Sequence, residues 1–417
     1  LQLKKNRLNL NHTLNKAGKF KVNFNKRRIL LSMFKRIIKF SKNNSLFLFG
    51  ARGTGKTFLL KEKFNKENSY FIDLLDPESY LRYSSNPSII KNEIAALHKK
   101  IKWVIIDEVQ KIPELLDVAQ MIISEKKINF ALTGSSARKL KRGGANLLAG
   151  RAFVNNLYPL THNEIGDSFD ITEILKWGSL PGIFSFTEDE DKTDFLRSYA
   201  YTYIKEEITQ EQVVRKLDPF RRFLVVSAQM SGKIINCSKI ARDIGSTTPT
   251  VQSYFQILED TLLGFTIDSY HTSIRKSQRE SPKFYYFDTG VLRALNNTLS
   301  LNVLPHTYQF GDLFEHFVIN EINRLQHYHK KDFKMFFMKT KHGLEIDLVI
   351  ERPGLKTALI EIKSSDNIRE EDIKPLIKLS KDIPGSEAFC FSLDKTSKIF
   401  NNVNSLYWKK GLEEIGL

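Results

Sequence analysis

Two groups of residues in this sequence have the types and spacing that phosphate chemistry needs. The first is Gly50-Ala-Arg-Gly-Thr-Gly-Lys-Thr57, which fits the pattern G-x-x-x-x-G-K-[ST]. Its glycines leave backbone amides free to close around phosphate oxygens, and the following helix turns its N-terminus on the same anion. Gly50, Ala51, Arg52, Gly53, Thr54, Gly55, Lys56, Thr57 and Phe58 are therefore expected to hold a nucleotide, with Lys56 at the β- and γ-phosphates and Thr57 on Mg²⁺. Further on, an apolar run ends in Asp107-Glu108. Asp107 is placed to hold the same ion and Glu108 to orient and activate an attacking water. The second group is Asp347, Glu361 and Lys363 on two neighbouring strands. A strand period of two puts Glu361 and Lys363 on one face. Asp347 and Glu361 can then share a divalent cation while the lysine orients water or steadies the leaving charge, an arrangement for cutting phosphodiesters. Glu345 and Glu315 lie nearby, and Glu315 is a third candidate ligand.

The elements that must position the first group alternate in type. A helix from Met33, a strand at Ser45–Phe49, a helix over 56–65 and strands at Ser69–Asp73 and 102–107 predict a parallel sheet with helices on both faces, an α/β fold. A further buried strand over 129–136 ends in small hydroxyl residues. Ser135 is the candidate polar sensor beside the terminal phosphate, with Thr133 and Ser136 as alternatives. The basic stretch that follows holds Arg138, Lys139, Lys141, Arg142 and Arg151. Arg151 or Arg138 suits a finger that neutralises phosphoryl charge across a subunit boundary; a solvated basic loop is the other reading, so the oligomer stays open.

Residues 152–215 read as a last strand and then helices, including an amphipathic one over 194–211, forming a lid over the nucleotide. Helices over 238–245 and 249–262 have helix-turn-helix spacing, with Val251, Tyr254, Phe255, Leu258 and Leu262 on one core-facing side. A winged helix is expected. The opposite face carries Gln252, Ser253, Gln256, Glu259 and Asp260 and offers no cation to a phosphate, so DNA contact is assigned to the wing with Arg275, Lys276, Arg279 and Lys283. Packing or partner binding is the competing role. After a helix bearing Glu315 come strands over 334–340, 344–350 and 357–364, a helix over 370–383 and a closing strand over 387–393.

Composition bounds the class. The chain has 417 residues, 41% of them hydrophobic, enough for two or three domains. No run approaches the length of a membrane helix; 29–40 is broken by Lys35, Arg36 and Lys39. The two cysteines, Cys237 and Cys390, make neither a disulfide framework nor a zinc site, and the cytoplasm is the expected compartment. His327 and His329 lack ligand-spaced partners. Of the net charge of +17, most comes from residues 1–43, which hold 13 Lys and Arg and no acid. That basic stretch is read as an arm on phosphates, a targeting segment, or a leader ahead of a translation start at Met33.

Taken together, Gly-Ala-Arg-Gly-Thr-Gly-Lys-Thr57, Ile-Ile-Asp-Glu-Val-Gln-Lys-Ile-Pro113, Leu-Thr-Gly-Ser-Ser136 and Leu-Ala-Gly-Arg151 resemble the AAA-type ATPases of prokaryotes. They are closest to the branch fused to a carboxy-terminal region of largely uncharacterised function. Tyr158-Pro-Leu-Thr, Gly178-Ser-Leu-Pro-Gly182, Tyr285-Tyr-Phe-Asp-Thr-Gly290 and Phe314-Glu-His-Phe317 are similar to that group as well. The resemblance implies ATP binding and hydrolysis. Asp347 with Glu361-Ile-Lys363 resembles the PD-(D/E)xK nucleases, most of all the archaeal Holliday-junction resolvase type, although Ile346 stands where the motif name has Pro. An inactive fold that only binds is the alternative. The expected units are a basic leader without fixed structure (1–32), a P-loop ATPase core (33–160), a helical lid (161–217), a winged helix (218–290) and an α+β nuclease-like domain (291–417).

Overall fold

Five short apolar runs pair into the first sheet of this computed structural model, which describes residues 34–65, 67–125, 128–135, 150–203, 217–271 and 280–417. Strands β1 (Ser45–Phe49), β2 (Ser69–Asp73), β3 (Trp103–Asp107), β4 (Asn129–Gly134) and β5 (Ala152–Asn156) are all parallel, in the order β2-β3-β4-β1-β5. Every residue of β1 and β3 is buried, because alternate side chains feed two layers. Phe47, Phe49, Val104 and Ile106 pack against Leu115 and Ile122 of α4 (Leu115–Glu125), which follows α2 (Pro77–Ser85) and α3 (Ile89–Ala96). Leu46, Leu48 and Ile105 pack on the other face against Leu59 and Leu60 of α1 (Lys56–Lys63). β4 is inserted between β1 and β3, so the ends of all three strands meet at the phosphate loop.

The helix expected from Met33 is absent in the described part of that segment. Phe34, Arg36 and Ile38 are buried while Lys35 and Lys39 are exposed, and that alternation is the period of an extended chain. A helix would have turned Arg36 away from the oxygens that hold it there.

Next come α5 (His162–Ile165), closed by a Thr161/Glu164 capping box, α6 (Ile171–Trp177), and α7 (Asp189–Ser198), which runs on into a π-helical turn at Tyr199–Tyr203. The rest of the amphipathic helix expected to residue 211 lies outside the described residues. After α8 (Leu217–Gln229), α9 (Cys237–Ile244) and α10 (Thr248–Asp260) make the helix-turn-helix pair, with Val251, Tyr254, Phe255 and Leu258 buried.

The hairpin of β6 (Gly264–Ser269) and β7 (Lys283–Tyr286) flanks the stretch 271–283 that was expected as a wing, and it does not stand apart. Instead β6 pairs in parallel with β8 (Lys334–Lys339), and the hairpin edges one eight-stranded sheet in the order β12-β13-β11-β10-β9-β8-β6-β7. All four residues of β7 are buried, so its apolar content is core.

Between β7 and β8 run α11 (Thr289–Leu295) and the 21-residue α12 (Tyr308–Tyr328). The remaining strands are β9 (Glu345–Glu351), β10 (Thr357–Lys363), β11 (Ser386–Ser392), β12 (Lys398–Phe400) and β13 (Val403–Tyr407). Helices α13 (Lys374–Lys381) and α14 (Trp408–Glu414) complete the unit. The strand at 387–393 therefore does not close it. β13 pairs beside β11 and places the fully buried Trp408 against His162 and Phe169.

Two glycine motifs lock α6 to α11. Asp288 accepts from Ser179 N at 2.7 Å and caps α11 by accepting from Val291 N at 3.0 Å. A Cβ on Gly290 would stand 2.1 Å from the Trp177 carbonyl oxygen. Gly290→Ala is expected to destabilise the chain by about 2–3 kcal/mol, measured by denaturant unfolding, since a backbone oxygen cannot yield as a side chain can.

Candidate functional site

Gly53 and Gly55 both take left-handed backbone angles, with φ of 83° and 95°, and Gly55 is the N-cap of α1. Only glycine adopts these without strain, so the turn that aims the loop amides depends on them. A Cβ on Gly50 would lie 2.5 Å from the Leu157 carbonyl oxygen. The Arg52 carbonyl accepts from the Tyr199 hydroxyl at 2.7 Å, and Thr54 and Ala51 are buried under the loop. Lys56 is buried, its Nζ donating to Gly50 O at 2.7 Å. A cavity of about 370 Å³ opens over the loop, with Lys56, Thr57 and Phe58 on one side and Gly182 and Phe195 on the other.

The Thr57 hydroxyl donates to Asp107 Oδ2 at 2.6 Å, and the Thr133 hydroxyl donates to Asp107 Oδ1 while accepting from Glu108 N at 2.9 Å. Burial pushes the Asp107 carboxyl above its ordinary value, and the hydrogen bonds from Thr133 and Thr57 oppose that shift. Glu108 sits at φ 62°, a left-handed angle that a side chain tolerates only when its surroundings impose it. Its carboxylate accepts from Gln110 Nε2, which also reaches Ser135 Oγ at 3.3 Å. Gln110 escaped the sequence reading, because a glutamine two residues past an acidic pair carries no signal until a turn folds it back. Ser135 is 4% exposed and joins this network through Gln110. Arg151 is exposed just before β5, outside the lining of the cavity. Arg138 and Ser136 lie outside the described residues.

The second group also assembles. β9 and β10 are antiparallel with Leu348 opposite Ile360, so Asp347 and Glu361 fall opposite each other one step further along. Asp347 Oδ2 accepts from Ile362 N at 2.8 Å, Lys363 Nζ lies 2.7 Å from Glu361 Oε1, and Glu361 Oε2 is buried without a partner. Glu315 arrives from α12, its Oε1 accepting from the Tyr285 hydroxyl at 3.0 Å. Burial, then the charge of Asp347, pushes Glu315 up to about 8 and Glu361 up to about 7. The Asp347 carboxyl is raised too, chiefly by burial.

Three expectations need correction. Among the described residues no three carboxylate, His or Cys groups are arranged around one cation position. Glu315, Asp347 and Glu361 are electrostatic neighbours rather than a finished ligand set, since Lys363 already engages one Glu361 oxygen. The lone Glu361 oxygen and the hard-oxygen donors nonetheless fit a divalent cation held by Asp347 and Glu361. Lys283, expected as a phosphate contact on the wing, is 4% exposed, with its Nζ 2.5 Å from Glu345 Oε1. Glu259 is no part of an open recognition face, because it accepts from Thr266 N and Oγ1 at 2.8 and 2.6 Å. Arg275, Lys276 and Arg279 lie outside the described residues. Lys283 and Tyr285 thus bring an ammonium and a phenol to the acids from β7, which sequence order assigned to another module.

Three family models match the chain in succession: an AAA domain over residues 42–166, a domain of unknown function (DUF8612) over 168–302 and another (DUF4143) over 310–407. Similar curated proteins are uncharacterized. One from Mycobacterium tuberculosis is 26% identical over 311 residues, spanning 74% of this chain and 68% of that protein. One from Methanocaldococcus jannaschii is 20% identical over 371 residues, spanning 83% and 81%. Among solved structures, the Aeropyrum pernix ORC1 protein in complex with DNA aligns over 66% of this chain and 91% of that chain at 10% identity, with a TM-score of 0.30. No helix among the described residues is long and apolar enough to cross a membrane.

The raised carboxyls have a consequence for stability. Folded, Glu361 and Glu315 keep protons up to about 7 and about 8; unfolded, they lose them at the ordinary 4.5. Their contribution to stability is therefore complete below that ordinary value and is lost as pH rises through 7 to 8. Thermal unfolding without metal should show a lower midpoint at about pH 9 than at about pH 6, a difference that Glu315→Gln shrinks and Mg²⁺ partly reverses at the higher pH.

Proposed function

With residues 42–166 an AAA-type P-loop domain joined to a DUF4143 domain, we propose that this protein is an ATP hydrolase that couples nucleotide binding and hydrolysis to a Mg²⁺-dependent, nuclease-like site acting on DNA. The observation that carries the first half is the 2.6 Å contact of Thr57 with Asp107, beside Glu108 at the same strand end. The amides of Gly53 to Thr57 and the α1 N-terminus hold the phosphates. Lys56 exchanges its bond to Gly50 O for phosphate oxygens. Thr57 and Asp107 hold Mg²⁺, which supplies charge neutralisation at the phosphoryl group. Glu108, held by Gln110, accepts the proton of the attacking water, and Ser135 meets the same space. Arg151 acts as a finger from a neighbouring subunit in an oligomer. The two cysteines are free thiols, in keeping with a cytoplasmic protein.

In the second half, Asp347 and Glu361 would hold the metal, and Glu315 adds negative charge beside Asp347. The metal supplies Lewis acidity toward the phosphodiester. Lys363 orients the water, and Lys283 offsets the acids from behind through Glu345. One observation favours a second reading, a nucleotide switch with an inactive nuclease fold: Lys363 is bound to Glu361 rather than held toward open space.

Lys56→Ala is expected to abolish ATP binding in calorimetry. Glu108→Gln should bind ATP yet turn it over at least about a hundredfold more slowly, and normal turnover would remove Glu108 from its role. Glu361→Ala and Lys363→Ala should each lose Mg²⁺-dependent DNA cleavage while ATP turnover persists; a wild-type protein that hydrolyses ATP but cuts none of duplex, single-stranded or junction DNA supports the switch.

A further inference from the structure

Arg36 stands outside the phosphate loop in sequence and against its outer side in space. It is 8% exposed, and its guanidinium reaches four oxygens. Nε donates to Glu164 Oε1 at 2.9 Å, Nη1 to Thr54 O at 3.0 Å, and Nη2 to Tyr158 O at 2.6 Å and to the Tyr328 hydroxyl at 2.8 Å. The Tyr328 hydroxyl also accepts from Tyr158 N at 2.9 Å.

Two consequences follow from peptide geometry and helix stiffness. A planar trans peptide points its C=O and N–H in opposite directions, so holding the Thr54 carbonyl sets where Gly55 N–H points. Gly55 is the N-cap of α1, and its amide belongs to the loop that would cradle phosphate. Tyr328 is the last residue of α12, and Glu315 lies on the same helix 13 residues back, about 20 Å along the axis. Between Glu315 and Tyr328, α12 is bound to the ATPase side at residues 160 and 162 and to the chain just after β7 at 287. Glu321 Oε2 accepts from His162 N at 3.0 Å, and Arg324 donates to Leu160 O at 3.0 Å and to Phe287 O at 2.6 Å.

We propose that Arg36 is a positioning residue that orients the Gly55 amide for the nucleotide and, through Tyr328, ties the phosphate loop to α12, so that loading of the loop is felt at the Glu315 end. The guanidinium fork is required, because an ammonium cannot satisfy Thr54, Tyr158, Tyr328 and Glu164 together. This inference rests on nucleotide binding at the loop, and it leaves open whether the acidic cluster cuts.

The test uses the full chain with Mg²⁺ and a non-hydrolysable ATP analogue, read by calorimetry and by hydrogen exchange over residues 308–316. Wild type should bind, and its exchange at 308–316 should slow. Arg36→Gln should weaken binding about tenfold, with Arg36→Lys rescuing it incompletely. Because loss of a buried guanidinium can impair folding, Tyr328→Phe is the second variant: it keeps the ring and deletes only the hydroxyl. That variant should still bind the analogue but lose most of the response at 308–316, an effect that general loosening, which speeds exchange with and without nucleotide alike, does not produce. Binding and response equal to wild type in both Arg36→Gln and Tyr328→Phe overturn the proposal. A wild type that binds nucleotide without any response at 308–316 overturns the coupling alone, whereas a wild type that does not bind overturns the reading of the loop and this proposal with it.

Discussion

The polar lacing of α12 is what the rest of the structure depends on. Glu321 and Arg324 are wholly or almost wholly buried, and burying charge is costly unless it is paired and hydrogen-bonded. Here they pair with each other and with His162, Ser179 and two stretches of backbone, so the segments that contribute those groups are held to one helix. Around that helix one continuous apolar cluster runs from Phe34 and Ala51 to Trp408 and Ile415. A matching apolar surface alone would tolerate sliding. Directional bonds from a guanidinium to carbonyls at 160 and 287 do not, and they set the register between the phosphate-loop side and the eight-stranded sheet.

Both acidic sites follow one electrostatic logic. In each, a carboxylate at a strand end is desolvated enough to resist ionisation and is then partly compensated by a neighbour. For Asp107 the compensation comes from two hydroxyl donors. For Glu361 it comes from the Lys363 ammonium, whereas Lys283 and Lys339 outweigh the burial of Glu345 and leave it below its ordinary value.

Local patterns were legible wherever the chemistry is local. The strands Ser45–Phe49 and Ser69–Asp73 run as their apolar runs indicate, because a buried parallel strand needs little more than a short apolar segment bounded by polar turns. Thr57 and Asp107 were paired by reasoning on motif spacing, and they touch. The segment after Met33 misled because Ile37, Ile38 and Phe40 suit a helix by composition, whereas the bonds that Arg36 makes to residues more than a hundred positions away require an extended chain. The hairpin with Lys283 misled for a related reason: lysine reads as surface until a glutamate from a distant strand is seen to bury it.

The amino-acid sequence alone determined the phosphate loop, the acidic strand end and the alternation of strand and helix, because these depend on backbone freedom at glycine and on apolar period over a few neighbours. Only the tertiary structure decided that β6 and β7 belong to the carboxy-terminal sheet, that Lys283 and Tyr285 stand among its acids, and that Arg36 joins Thr54 to Tyr328. Those outcomes turn on edge hydrogen bonds and buried charge pairs between residues far apart in the chain, and no local pattern encodes which partner will fill a donor or neutralise a charge.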